Sequence, residues 1–444
     1  MASTYLSRTL VSGSNPTVCT FSFWSKITNP GADDYFFTAG DGTDNFWIRT
    51  DSNKIYLRNE VGTETGMAYK TNALYRDPAA WYHIVAAFDT GESASDRQKL
   101  WINGEQITSW ATSLDMSDTY FMTGGSGDVQ YIGKRMDSAA YTNGVMAHFH
   151  YIDGTAYTAS AFGETDATSG IWVAKSSPSV TYGTNGFFLK FASGALGTDS
   201  SGNGNNFTVS GTMTTTKDTP DNNFCTLNSL DNYYPASTFS NGNNTVVTGA
   251  GIYAPNTGTM AMVSGKWYFE LKAVARTSGN EYVPGIVSVQ TVDTTHEVGT
   301  HANDYGYRSY NGDIMTGGSA SSYGNVFDTG DIVGVAVDLT NSKLYFSING
   351  TWQNSGDPTS GATGTGAVSI TAVGSTVNQM YLPVVSYYGG GSSTGTLSTN
   401  FGNGYFGTTS HGETNADDAG IGLFKYDVPA GYYALCTNNL GDQS

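Results

Sequence analysis

Two segments far apart in this chain share one design. The first runs Trp81-Tyr82-His83-Ile84-Val85-Ala86-Ala87-Phe88-Asp89, crosses a polar loop and resumes as Lys99-Leu100-Trp101-Ile102-Asn103-Gly104-Glu105. The second runs Asp331-Ile332-Val333-Gly334-Val335-Ala336-Val337-Asp338, turns through Thr340-Asn341-Ser342 and continues Lys343-Leu344-Tyr345-Phe346-Ser347-Ile348-Asn349-Gly350-Thr351-Trp352. Each is an apolar strand ending in Asp, a turn, and an aromatic strand closed by Asn-Gly. That dipeptide supplies both positive-φ residues of a two-residue hairpin loop, the strongest short-range hairpin signal. A chain carrying this pattern twice is predicted to hold two antiparallel sandwiches built to one plan.

The rest of the chain agrees. Gly accounts for 56 of 444 residues against only 11 Pro, with no three-residue period, so collagen is excluded. Gly mixed with Asn, Thr, Ser and Tyr between short apolar runs is what many hairpins require. Helical periodicity is nearly absent, and the best candidate for a helical turn is Thr158-Ala159-Ser160-Ala161-Phe162. Residues 18–27 alternate Cys19/Phe21/Phe23 with Thr20/Ser22/Trp24, predicting a half-buried strand. Asn45-Phe46-Trp47-Ile48-Arg49 and Lys54-Ile55-Tyr56-Leu57-Arg58 read as a strand pair joined by an Asp51-Ser52-Asn53 turn. The polar stretch 197–206 and the Thr-, Asp- and Asn-rich residues after it read as loop and linker. The expected class is all-β, with domains at 1–210 and 223–444 and a linker at 211–222; Gly186 to Phe191 form a late strand of the first domain.

Charge narrows the function. With 20 Lys+Arg against 38 Asp+Glu the net charge is −18, and no basic run exists to hold phosphates, so nucleic-acid binding is excluded as an expectation. No stretch approaches ~18 uninterrupted apolar residues, and the first residues lack the layout of a signal peptide. The expectation is a soluble product made in the cytoplasm with no membrane insertion. Cys19, Cys225 and Cys436 are odd in number and lack a C-x-x-C spacing, so they are read as reduced packing residues.

Particular residues resemble known families. Thr20-Phe21-Ser22-Phe23-Trp24, Trp81-Tyr82-His83-Ile84-Val85, Leu100-Trp101-Ile102-Asn103-Gly104-Glu105 and Tyr131-Ile132-Gly133 resemble the laminin-G-like, concanavalin A-type jelly roll across the first half. Gly265-Lys266-Trp267-Tyr268-Phe269-Glu270, the 330–338 strand, the 344–350 hairpin, Asn400-Phe401-Gly402 and Gly431-Tyr432-Tyr433-Ala434-Leu435 resemble, in order, the motifs of a SPRY domain. Together the resemblances imply two tandem concanavalin A-like jelly-roll β-sandwiches. The combination, with residues 5–9 and 197–205, is similar to tail-fibre-like appendage proteins of marine tailed bacteriophages.

Candidate chemistry is sparse. Glycan hydrolases of this superfold carry alternating carboxylates on one strand; no E-x-D-x-x-E is present, and Glu164-Thr165-Asp166 sits in a polar loop without a third acid. No catalytic residue is assigned. His148 and His150 flank Phe149 and are expected on one strand face, without companion ligands. Asp33, Asp34, Asp41 and Asp44 form an acid cluster of the oxygen-only kind that suits calcium, yet read best as solvated turn acids. No metal and no cofactor is assigned. The SPRY resemblance implies binding by loops at one end of the sandwich. Tyr305, Tyr307 and Tyr310, with Tyr387 and Tyr388 before Gly389-Gly390-Gly391, are the candidate ligand-binding residues, because flat rings beside flexible glycine suit recognition. Removing Tyr307 and Tyr388 is therefore expected to abolish attachment without changing the melting temperature, and binding is expected to be nearly independent of salt.

The functional expectation is a non-enzymatic phage virion structural protein, a tail fibre or similar appendage adhering to host-surface glycan. A head-decoration or tail-body protein that uses its sandwiches only for protein contacts is the alternative, and a polysaccharide depolymerase comes third. Expected partners are other virion proteins, a homo-oligomer (a trimer, by the resemblance) and host glycan. The expected location is the virion, reached by lysis.

Overall fold

The computed structural model describes residues 4–13, 17–117, 124–137, 140–232, 236–250, 255–277, 280–289, 296–389 and 393–443. Its chain forms two compact units, Met1–Thr215 and Thr216–Ser444. Both are β-structures, and the chain is all-β as expected.

In the first unit, one sheet among the described residues has eight strands in the order Trp110–Leu114, Glu64–Thr71, Lys54–Val61, Asn45–Asp51, Tyr35–Gly40, Val129–Ile132, Tyr5–Thr9 and Thr208–Ser210. The facing sheet has six, in the order Phe187–Leu189, Gly144–Asp153, Val18–Ile27, Trp81–Asp89, Gln98–Ile102 and Glu105–Gln106. Strand parity builds the core between them. Cys19, Phe21 and Phe23 point inward against Phe37, Phe46, Phe149 and Tyr151, with ring centroids 4.7 Å apart for both Phe21–Phe37 and Phe23–Phe149. The Asp51/Lys54 hairpin closes through Ser52 and Asn53, both at positive φ, as its sequence requires.

The Val18–Ile27 strand departs from the half-buried expectation, since Thr20, Ser22 and Trp24 are buried as well. A second layer causes this. The Ala159–Ala161 turn, Phe162 and Trp172 fold over the outer face of the six-stranded sheet and pack on Val85, Trp101 and Ile152. The polar stretch after Gly197 is irregular, yet it is wound around one carboxylate: Asp199 accepts the backbone N–H groups of Phe188, Ser201 and Asn205.

The second unit repeats the plan. Its larger sheet runs Thr238–Ser240, Thr245–Val247, Gly395–Asn400, Lys266–Arg276, Ile332–Asp338, Lys343–Ile348 and Thr351–Trp352, with Val368–Ser369 beside Lys343–Ile348 and Tyr433–Ala434 joining Lys266–Arg276 in parallel. The smaller sheet runs Asn256–Thr257, Leu382–Tyr388, Glu281–Val287, Tyr305–Tyr307, Asp313–Thr316 and Ser319–Ser322. The two Asn-Gly turns are equivalent: Asn103 and Gly104 have φ of 50° and 84°, Asn349 and Gly350 of 47° and 80°. In each, the Asn carboxamide oxygen takes the N–H of the residue opposite, His83 at 2.7 Å and Ile332 at 3.0 Å, and so extends the ladder by one rung. Residues 216–222 pack as part of the second unit, with Lys217 donating to Asn403 O and Asp218 accepting from Phe224 N. Cys19, Cys225 and Cys436 are buried thiols.

Candidate recognition surface

The structure separates the five tyrosines chosen for recognition. Tyr305, Tyr307 and Tyr387 are 6%, 0% and 1% exposed and lie in strands within the core, which corrects their reading as loop residues. Tyr307 stacks on Phe327 and Phe346 at 5.5 and 5.2 Å and donates its hydroxyl hydrogen to Asn325 O. Tyr305 accepts from Thr371 N at 2.9 Å, and Tyr387 packs against Tyr282 at 5.7 Å. The glycines beside them are packing residues: a Cβ on Gly306 would stand 2.6 Å from Val283 Cγ1, and one on Gly395 would stand 2.4 Å from the Tyr387 ring. Tyr310 alone is well exposed, at 66%, and Tyr388 is half-buried opposite Glu281. These two share one end of the smaller sheet, where Arg308 forks onto Glu281. Gly390 and Gly391 lie outside the described residues.

Other candidates resolve into structural roles. Glu164 is exposed in the Gly163–Thr165 strand, while Asp166 accepts from Thr168 N and Ser169 N of its own turn. A bulge at His148, whose φ is 51°, lets both imidazoles pack on Phe188, His148 edge-on at 6.1 Å and His150 face-on at 3.9 Å. Burial holds His150 well below the ordinary imidazole range. The four aspartates of the acid cluster do not converge, because Asp33 and Asp34 precede the Tyr35–Gly40 strand and Asp41 and Asp44 follow it. Asp34 is pushed up to about 7 by burial and accepts from Asn143 N. Asp41 and Asp44 instead line a cavity of about 280 Å³ with Asp128, Gly124 and Gly125.

A surface that sequence reading missed lies on the first unit. Phe46, Ile48, Ile55 and Leu57 enter the core, so the opposite parity, Trp47, Arg49, Tyr56 and Arg58, lines the outer face of the eight-stranded sheet. Register places Trp47 beside Arg58, Arg49 beside Tyr56, and Tyr56 beside Lys70. Aromatic and cationic side chains therefore alternate in both directions, with the Trp47 and Tyr56 rings, 5% and 6% exposed, lying beneath the cations that cover them. Arg49 covers the Tyr35 and Tyr56 rings at 5.5 and 5.1 Å, Arg58 covers Trp47 at 5.9 Å, and Lys70 covers Tyr56 at 4.8 Å. Lys134 extends the array over Tyr5 and Tyr131, and Arg135 lies over Tyr35. Asp33, Asp51 and Glu60 pair with these cations. A guanidinium lying on a ring keeps its edge N–H groups free to face carboxylate oxygens. Beneath Arg58 the Trp47 indole N–H is buried without a hydrogen-bond acceptor among the described residues. The signal was in the sequence, in the Trp-x-Arg and Tyr-x-Arg of the outward parity.

Family models match the two halves separately: the concanavalin A-like lectin/glucanases superfamily over residues 4–160, and the SPRY domain over residues 266–398. Ran-binding protein 9 of Homo sapiens and Ran-binding protein 10 of Danio rerio are each 34% identical to this chain over 88 residues, 19% of its length. The matched stretch covers only 12% and 14% of those proteins. The crystal structure of the SPRY domain of human HERC1 aligns with 39% of this chain and 96% of its own length, at 15% identity and a TM-score of 0.31. The chain thus carries a laminin-G-like domain of the concanavalin A-like superfamily in its first half and a SPRY domain in its second.

Proposed function

We propose that the chain is a non-enzymatic virion protein, a tail fibre or similar appendage, that adheres to host-surface glycan through the outer face of its first unit. The observation that carries the binding reading is the alternating aromatic–cation array centred on Trp47, Arg49, Tyr56 and Arg58, on an otherwise acidic chain. Sugar carboxylates and hydroxyls replace the intramolecular acids as partners of the guanidinium edges, and the rings beneath keep those edges oriented. Resemblance to phage appendage proteins supports the particle, with other virion proteins and copies of the same chain as partners.

The test is attachment of the purified full chain to host cells and to a glycan array. Arg58→Gln with Arg135→Gln lowers attachment about tenfold or more, the effect of losing charge-assisted hydrogen bonds. Added salt weakens binding, because the array works through charge. Salt-independent binding unaffected by the double variant places recognition elsewhere, with Tyr310 and Tyr388 the next site to change. Presence in virions without any glycan binding favours head decoration or a tail-body role, and new reducing ends from host polysaccharide favour a depolymerase.

A further inference from the structure

The second unit gathers His296, His301 and Asp304, the group of three among the described residues whose ligand atoms all lie within 4.8 Å of one another. Local turns bring them together. Thr300 N and Oγ1 both donate to Glu297 O, closing the turn between the histidines, and Asp304 N donates to His301 O just before the Tyr305–Tyr307 strand. His296 Nε2 stands 2.7 Å from Asp304 Oδ2, and His301 Nδ1 stands 4.0 Å from the same oxygen. The two imidazole centroids are 4.3 Å apart. His296 and Asp304 are almost wholly buried, while the His301 side chain is 38% exposed.

Two features are unexplained by packing alone. Asp304 Oδ1 and His296 Nδ1 are buried without hydrogen-bond partners among the described residues. A buried carboxylate with only one oxygen partnered is costly, and a cation held at that oxygen, Oδ2, offsets the cost of burying its charge. We propose that His296, His301 and Asp304 bind one divalent transition-metal ion, Zn²⁺ foremost, a site independent of the adhesive reading. Two imidazoles and one carboxylate suit Zn²⁺ and its neighbours, whereas Ca²⁺ and Mg²⁺ take oxygen ligands. Metal–ligand bonds of about 2.0–2.2 Å in a tetrahedron put ligand atoms roughly 3.4 Å apart. The separations of 2.7 and 4.0 Å bracket that value and all three ligand atoms lie within 4.8 Å of one another, so side-chain shifts of about an ångström seat the ion. The ion takes the place of the hydrogen shared by His296 Nε2 and Asp304 Oδ2, and the neutral imidazole then carries its one hydrogen on Nδ1. Three protein ligands leave a fourth position for water or an incoming ligand.

The experiment titrates metal-free, untagged full chain with Zn²⁺ against a chromophoric chelator and, separately, with Co²⁺ followed by visible absorption. One ion binds per chain, tighter than about 1 μM, with the visible bands of a tetrahedral Co²⁺ site. His301→Ala, at a half-exposed ring, keeps the fold by circular dichroism and loses about 100-fold or more in affinity. Asp304→Asn, which keeps the side-chain size but removes the charge, loses as much, whereas His411→Ala binds as the parent does. Folded parent protein that takes up no stoichiometric metal overturns the proposal, as does undiminished binding by both His301→Ala and Asp304→Asn.

Discussion

Tyr307 and Tyr310 lie in one short segment and have opposite fates. Truncating Tyr307 to Ala empties a core site between Phe327 and Phe346 and costs about 3–5 kcal/mol in urea unfolding. Tyr310→Ala, at an exposed ring, stays within about 0.5 kcal/mol of the parent. A Tyr307→Ala melting temperature equal to the parent's contradicts the core placement. His83 carries a pH dependence. Trp172 Nε1–H donates to its Nδ1 at 2.9 Å, so the neutral ring's one N–H hydrogen sits on Nε2 and faces Ser22 Oγ at 2.9 Å. Burial, with the charge of His148, pushes its pKa down to about 3 from 6.5. The folded state then binds fewer protons than the unfolded one between those values, so His83 contributes stability that is full above pH 6.5 and lost as pH falls toward 3. Asp34, raised to about 7, acts in the reverse sense, losing stability as pH rises from 3.8 toward 7. The measurement is therefore a comparison: His83→Gln flattens the acid limb of the first unit's melting temperature relative to the parent. An unchanged slope rules out His83 as its source.

At the level of elements, the two Asn-Gly hairpins were fully legible, because the turn chemistry is local and needs no tertiary partner. Their environment was not. A Cβ on Gly104 would stand 2.6 Å from the Trp172 ring, and one on Gly350 would stand 2.7 Å from Tyr426. Gly104→Ala therefore combines a positive φ with displacement of the covering tryptophan and costs about 2 kcal/mol or more in equilibrium unfolding. A near-neutral value shows that the Trp172 cover yields freely. The strand pair carrying Trp47, Arg49, Tyr56 and Arg58 was legible as a hairpin, while the sequence assigned no role to its outward parity. Only the register, setting Trp47 opposite Arg58 and Arg49 opposite Tyr56, turns scattered residues into an array.

For the whole molecule, each unit has its own aromatic core, so fragments 1–215 and 216–444 are each expected to unfold cooperatively on heating. A 216–444 fragment without a thermal transition would mean that the second core needs the first unit. Period-two alternation, glycine-rich turns and two Asn-Gly closures determined by themselves that the chain is all-β and holds the two related hairpins, because these signals act over a few residues. Tertiary structure alone decided which faces are covered twice and which glycines serve packing. Alternation reveals that a strand has two faces without telling what covers either one. The layer carrying Phe162 and Trp172 buries Ser22 and His83, and the close approach permitted by Gly306 draws Tyr305 and Tyr307 into the core. Those outcomes depend on contacts between segments distant in sequence, which no local pattern encodes.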